Sequence, residues 1–252
     1  MSELRRMCCF KFTKLIIMSI LNKIISNLWV IRYIIPIVYF NFHYLPFKVA
    51  IKLPIFLYKP RLVCCKGKII ISGGVKTGMI KLGRNRVSLY PDGGISWENK
   101  GVVEFKGECY IGRNSFISTG KNGYIIFGED FVSTNSFKIV SYHMIKFGNH
   151  VLCGWECTFI DTDFHKLTFE ETINMSKPYG SIEVGDNCWF GFKSIALKNT
   201  KLPTHSVVAS NSLLNQAYNI PPKSLLAGIP AKLIKTGVYR NFNNDKIEYT
   251  NE

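Results

Sequence analysis

The sequence predicts an all-β solenoid of short strands, and three observations carry that prediction. Stepping by six from Val184 meets Val184, Phe190, Ala196, Leu202, Val208 and Leu214, apolar every time. Two positions before each of the last five stands a small or slender residue: Cys188, Ser194, Thr200, Ser206 and Ser212. Turns on Gly-Arg-Asn, Gly-Glu-Asp, Gly-Asn-His and Gly-Asp-Asn separate short apolar pieces, and long helical periodicity is absent.

A period of six has a physical cause. Three short strands per coil, joined by tight turns, put one residue in every six at the same interior position. Its side chain stacks on the counterpart in the next coil, about 4.8 Å away. Gly, Asn and Asp suit the corners because positive φ costs them least. The same register runs through Phe105, Ile111 and Ile117, with Cys109 and Ser115 two before the latter two. It runs again through Phe147, Cys153 and Phe159, with Val151 and Cys157 two before the latter two. A β-sandwich alternates with period two and would not hold this register.

The pattern begins at Lys68, so the chain divides into an extension over 1–67, a solenoid over 68–235 and a tail over 236–252. With 252 residues, 47% hydrophobic and 19% charged, the composition is that of a folded protein. The net charge of +15 sits at the front: residues 1–70 hold 12 Lys/Arg against one acid, Glu3. Residues 15–60 are rich in Ile, Leu, Tyr and Phe, but Lys23, Arg32, Lys48 and Lys52 interrupt them, and Pro36 and Pro46 break helices. No small-residue cleavage site follows Leu15–Leu21, so a signal peptide is not expected. Two readings stand for this partly helical stretch: it lies on an anionic membrane surface, or it packs on its own domain or a neighbouring subunit. The expected location is cytoplasmic, either free or peripheral on the inner face of the membrane.

The eight cysteines form no disulfide framework. Cys153 and Cys157 lie near His150, yet no second ligand pair stands at finger-like spacing, so reduced buried thiols and no metal are expected.

Four motifs then carry a resemblance: IEVGDNCWFG at Ile182–Gly191, SVVASNSLL at Ser206–Leu214, AGIPAKLIK at Ala227–Lys235, and the polar excursion DTDFH at Asp161–His165. Over roughly residues 68–235 the chain resembles the hexapeptide-repeat acyltransferases, which are left-handed parallel β-helices. It looks most like the sugar O-acetyltransferases of capsule and O-antigen biosynthesis, a comparison that NFHYLPFKVAIKLPIFLY at Asn41–Tyr58 strengthens. The resemblance implies a homotrimer with acetyl-coenzyme A along one prism and a histidine base from the adjacent one.

A sugar hydroxyl attacks a thioester poorly because its pKa lies far above 7, so proton removal must be assisted, and a neutral imidazole suits the task. His165 is the candidate, on an interruption where a loop can leave the prism wall. His43, His143, His150 and His205 read as surface or structural residues. Asp163 and Asp161 precede the base by two and four positions; one is expected to orient the ring and the other to bind the acceptor, Asp161 being assigned the acceptor. The resemblance places the oxyanion donor at the backbone N–H of Phe192, where the family often has a small residue. It places Trp189 at the cleft wall and Ser210 against the pantetheine arm. It sets Lys232 and Lys235 against the nucleotide phosphates, as point charges.

The expected function is acetyl-coenzyme A-dependent O-acetylation of a sugar or lipid-linked oligosaccharide. Sugar N-acylation on the same fold and a non-catalytic, membrane-attached scaffold are the alternatives. A γ-type carbonic anhydrase lacks its third histidine here. A nucleotidyltransferase lacks its phosphate loop. Nucleic-acid binding lacks a recognition motif.

Overall fold

A computed structural model describes residues 29–84, 93–169, 172–175 and 177–244. Three parallel sheets wrap the chain into a prism. The first face runs from Ile55–Leu57 to Ser224–Gly228, the second from Arg61–Cys65 to Leu213–Leu214, and the third from Lys68–Ile71 to Lys201–Leu202. The expected all-β, parallel β-helical solenoid is borne out.

The six-residue register is the interior of this prism. Val184, Phe190, Ala196, Leu202, Val208 and Leu214 are all at most 5% exposed and fall in turn on the third, first and second faces. In the ladder Phe190 stands on Cys153 and under Val208, which stands under Leu226. Earlier coils fill the interior with rings: Phe105, Phe127 and Phe147 stack nearly parallel, with centroids 5.4 and 5.7 Å apart. Truncating such a ring to Ala costs about 3–5 kcal/mol.

The slender residues have a second reason besides space. The hydroxyls of Ser194, Thr200 and Ser206 donate to the carbonyls of Gly191, Leu197 and Pro203, each three residues back, at 2.7–2.9 Å. Each bond adds a hydroxyl donor to a carbonyl at a corner of the prism. Cys188 and Cys157 fill equivalent slots as thiols, and burial pushes both up to about 12.

The first coil begins at Ile55, ahead of the boundary expected at Lys68. Its register is hidden because the end of the prism is covered. The Ile34–Tyr44 helix lies on it, burying Ile37 and Phe40. Asn41, fully buried, donates to the carbonyls of Ile37 and Ile55 and accepts from the Ile55 N–H. Trp97 of the second coil donates to the Tyr44 hydroxyl at 2.9 Å. The helix is therefore fastened to its own domain, while Ile35 and Tyr39 on its outer side, and Ile31 just ahead of it, are more than half exposed. No helix among the described residues is long and apolar enough to cross a membrane; the Leu15–Leu21 stretch lies outside them.

At the far end the last strand, Ala231–Thr236, turns back antiparallel on Ser224–Gly228. Beyond it the tail lies along a corner, where Arg240 donates to the His150 carbonyl at 3.1 Å.

Candidate active site

The excursion leaves the prism after Ile160 on the second face and returns at Ile182 on the third. Phe159 and its ladder partner Ala196 are therefore far apart in sequence, whereas later coils close in eighteen residues. Its two legs are joined at the base. Thr162 bridges Tyr179, the Asp163 N–H donates to the Pro178 carbonyl at 2.7 Å, and the Gly180 N–H donates to the Asp161 carbonyl at 3.0 Å. Further out, Thr168–Phe169 pairs with Thr172–Met175 as an antiparallel hairpin.

Asp161 anchors this base. It is fully buried and accepts from the Ser141 hydroxyl and from the N–H groups of Tyr142 and His143, at 2.7–2.9 Å. Three charge-assisted bonds justify burying a carboxylate. Its complete burial leaves no exposed oxygen in this chain for the acceptor expected at Asp161. Asp163 is half-exposed and ion-paired to Lys198, which also donates to the Lys177 carbonyl at 3.0 Å. The ring-orienting role expected of Asp163 has no contact to support it among the described residues. His165 itself is exposed.

The expected donor-binding residues gather at a different corner, between the first and second faces. Trp189 and Phe192 are each 41% exposed, and Trp155 meets the Phe192 ring edge-on. Ser210 lies one coil on, where the Gly191 backbone approaches so closely that an added Cβ would sit 2.7 Å from the Ser210 nitrogen. The Gly191 and Lys193 N–H groups are bonded to Val208 and Trp155, whereas that of Phe192 donates to nothing among the described residues. An unpaired backbone N–H beside an exposed aromatic corner is what a developing oxyanion requires.

Lys232 and Lys235 would face opposite sides of a regular strand, being three apart. A register shift between Leu225 and Leu226 corrects this. Lys232 pairs with Ala227 and Lys235 with Leu225, two half-buried positions that flank inward Leu226. Both lysines therefore stand on the outer side at the end of the prism.

Sequence reasoning missed two residues here. Lys198 braces the excursion. Phe164 adopts φ 61° and packs edge-on over Tyr142 with centroids 5.0 Å apart. A Phe inside DTDFH gives no sign of that backbone. The thiols near His150 lie inside the prism, Cys153 pushed well up by burial, while His150 faces Asp130 at 3.6 Å and Phe242.

No protein-family model matches the chain. It is 25% identical over 141 residues to an uncharacterised 24.8 kDa protein of the cps region of Klebsiella pneumoniae, a match covering 56% of this chain and 61% of that one. It is 25% identical over 165 residues to WbbJ of Escherichia coli K12, named as a lipopolysaccharide biosynthesis O-acetyl transferase, covering 56% and 81%. The chain thus spans less than two thirds of the first relative's length. Among solved structures it resembles NeuO, a polysialic acid-specific acetyltransferase, at a TM-score of 0.45, with 18% identity over 74% of this chain and 78% of that one. It also resembles a galactoside acetyltransferase in complex with coenzyme A, at a TM-score of 0.39 and 17% identity over 85% and 82%. The acyltransferase resemblance read from the motifs is borne out.

Proposed function

We propose that this solenoid, whose relatives include a named O-acetyl transferase, transfers an acetyl group from acetyl-coenzyme A to a sugar hydroxyl in surface-polysaccharide assembly. The observation that carries the reading is the pairing of an exposed imidazole on a braced excursion with an unpaired N–H at an aromatic corner. The first can take a proton, and the second can meet the negative charge that results.

The chemistry follows from those two groups. The hydroxyl oxygen attacks the thioester carbonyl while His165 accepts its proton, and the carbonyl oxygen, now negative, receives the Phe192 N–H. When the tetrahedral adduct collapses, the C–S bond breaks and the protonated imidazole returns its proton to the departing thiolate. The corner holds the acyl donor: Trp189 walls the thioester, Ser210 lines the arm, and Lys232 with Lys235 draw the phosphates. Asp163 acts through Lys198, holding the excursion in place.

His165 and Phe192 stand at different corners of one prism. A side-by-side homotrimer brings the excursion of one chain to the donor corner of the next, and this separation supports the expected trimer. The basic front of the chain and the apolar outer side of the Ile34–Tyr44 helix support docking on an anionic membrane, where lipid-linked acceptors lie.

Release of free thiol from acetyl-coenzyme A, followed over a panel of sugars and polyprenyl-linked oligosaccharides, tests the reading. His165→Ala should lower kcat by roughly 10²–10⁴-fold and change the KM for acetyl-coenzyme A little. Near-full turnover would remove His165 as the base. Activity confined to amino-sugar nitrogens would move the assignment to N-acylation.

A further inference from the structure

We propose that the second face of the prism, from its first coil to the base of the excursion, is a groove for an extended oligosaccharide chain, with Phe164 as its stacking platform and Glu98 as its hydroxyl-binding carboxylate. The inference rests on the reading of sugar acetylation and assigns the part of the acceptor that does not react.

A groove of about 420 Å³ runs along this face, lined among others by Arg61, Ser96, Glu98, Phe116, Tyr142 and Phe164. It crosses the strands Arg61–Cys65, Ile95–Asn99, Ser115–Thr119 and Lys138–Ser141, which are successive neighbours in one sheet. Three strand spacings make about 14 Å. One end opens beside the coil that carries the Ile34–Tyr44 helix; the other ends under Phe164, the residue before His165.

Phe164 is the residue that calls for an explanation. Its φ of 61° lies in the left-handed region, which a bulky side chain enters at a cost. Most other left-handed corners of the prism carry Asn, Asp, His, Ser, Lys or Glu, side chains that are polar or tolerant of that backbone. Phe164 gains little burial in exchange, since it is 55% exposed. Among the described residues, the Thr162 hydroxyl, which accepts its N–H at 3.0 Å, and the edge of Tyr142 hold it. A strained, exposed aromatic beside the proposed base is placed for a ligand.

The rest of the groove matches a saccharide. A pyranose offers a face of weakly positive C–H bonds, which the negative face of an aromatic ring attracts. Its hydroxyls donate to carboxylates and accept from guanidinium groups. Glu98 is fixed for that work: Oε1 accepts from Lys100 and Oε2 from Ser118 at 2.9 Å, so the carboxylate stays charged and aimed. Glu98 with its Lys100 partner offers a pyrophosphate no net positive charge midway along the groove, and Arg61 stands at the helix end for an anionic group. An elongated, hydroxyl-rich chain fits this distribution better than a nucleotide sugar does.

The test uses full-length protein and fluorescein-labelled tetrasaccharides of N-acetylglucosamine, galacturonic acid and α2,8-linked sialic acid, each beside its monosaccharide. Anisotropy reads binding without acetyl-coenzyme A, and thiol release reads transfer. At least one tetrasaccharide should bind more tightly than its monosaccharide. Phe164→Gly and Glu98→Gln should each weaken that binding roughly three- to tenfold and leave the KM for acetyl-coenzyme A unchanged. Because glycine relieves the left-handed strain, Phe164→Gly should keep or raise the melting temperature, which separates lost binding from lost folding. Binding that the variants weaken, without transfer by the wild type, would support the groove and refute the acetylation reading. Transfer to a tetrasaccharide that both variants perform unchanged would refute the groove and leave the acetylation reading standing. Failure of every tetrasaccharide to bind the wild type would also overturn the groove.

Discussion

Lys198 is ion-paired with Asp163, two residues ahead of His165, and its remaining donors reach the Lys177 carbonyl on the opposite leg of the excursion. One ammonium group thus joins both legs to the second face of the prism. The pair is partly exposed, so its own contribution to stability is small and weakened by salt. Its weight lies in where it puts the loop. Lys198→Met should lower kcat several-fold with little change in the melting temperature or in the KM for acetyl-coenzyme A. Lys198→Arg, which keeps both contacts within reach, should recover most of the loss. Equal losses in the Met and Arg variants would show that Lys198 does not position the excursion.

The bulge at the last strand makes a second expectation. Lys232 and Lys235 share an outer face because the ladder slips once between Leu225 and Leu226. If both meet the phosphates of one nucleotide, each Lys→Ala change should raise the KM for acetyl-coenzyme A, and the double variant should fall short of the product of the two. kcat should move much less. If the chain assembles as the proposed trimer, trimers mixed from His165→Ala chains and lysine-deficient chains should regain activity in clefts that receive both intact halves. Mixed trimers with no recovery would place the base and the phosphate contacts on the same chain.

The interior of the prism was legible because every sixth side chain meets the same surroundings. Val184 through Leu214 repeat one environment, and the hydroxyl slots at Ser194, Thr200 and Ser206 repeat another. The first coil was not legible because the Ile34–Tyr44 helix covers it, so Ile55 and Leu57 look like the end of an apolar stretch and not the start of a register. Asp161 and Asp163 read alike as turn carboxylates. What separates them is tertiary: three donors from the preceding coil surround the first, and Lys198 meets the second from a later one. The left-handed backbone of Phe164 and the slip that turns Lys235 outward likewise depend on pairing between distant segments, which spacing alone does not encode.

The terminal helix predicts a split between two neighbouring residues. Ile35 is 80% exposed and Ile37 fully buried. From residue 4 to residue 91 the sequence holds no Asp or Glu, so the chain that carries the exposed side is basic. Ile35→Glu should therefore leave the melting temperature unchanged and reduce cosedimentation with phosphatidylglycerol vesicles, an effect that is largest at low salt. Ile37→Glu should destabilise the protein, because it buries an unpaired carboxylate. Unaltered vesicle binding by Ile35→Glu, or a lower oligomeric state in its place, would make this side a contact between subunits.

The response to acid follows from three surface carboxylates. Lys100 and Ser118 hold Glu98 below its ordinary value. Partial burial pushes Glu104 upward, but hydrogen bonds from Ser72 and Tyr124 outweigh it and hold the group low. Lys201 holds Glu183 low against the opposing effect of burial, with a smaller contribution from Ser181. A group whose folded value is depressed stabilises the fold fully above its unfolded value, about 4.3 for Glu, and loses that contribution as the pH falls through the folded value. The melting temperature should therefore be level from near neutrality to about pH 5 and fall below it. Tyr124 runs the other way: its hydroxyl donates to Glu104, which pushes it up to about 12, so its contribution holds through neutral pH and is lost only in strong alkali. Glu104→Gln removes the carboxylate from both limbs at once. It should lower the plateau and make the acid limb shallower, and an acid limb identical to that of the wild type would show that Glu104 carries none of it.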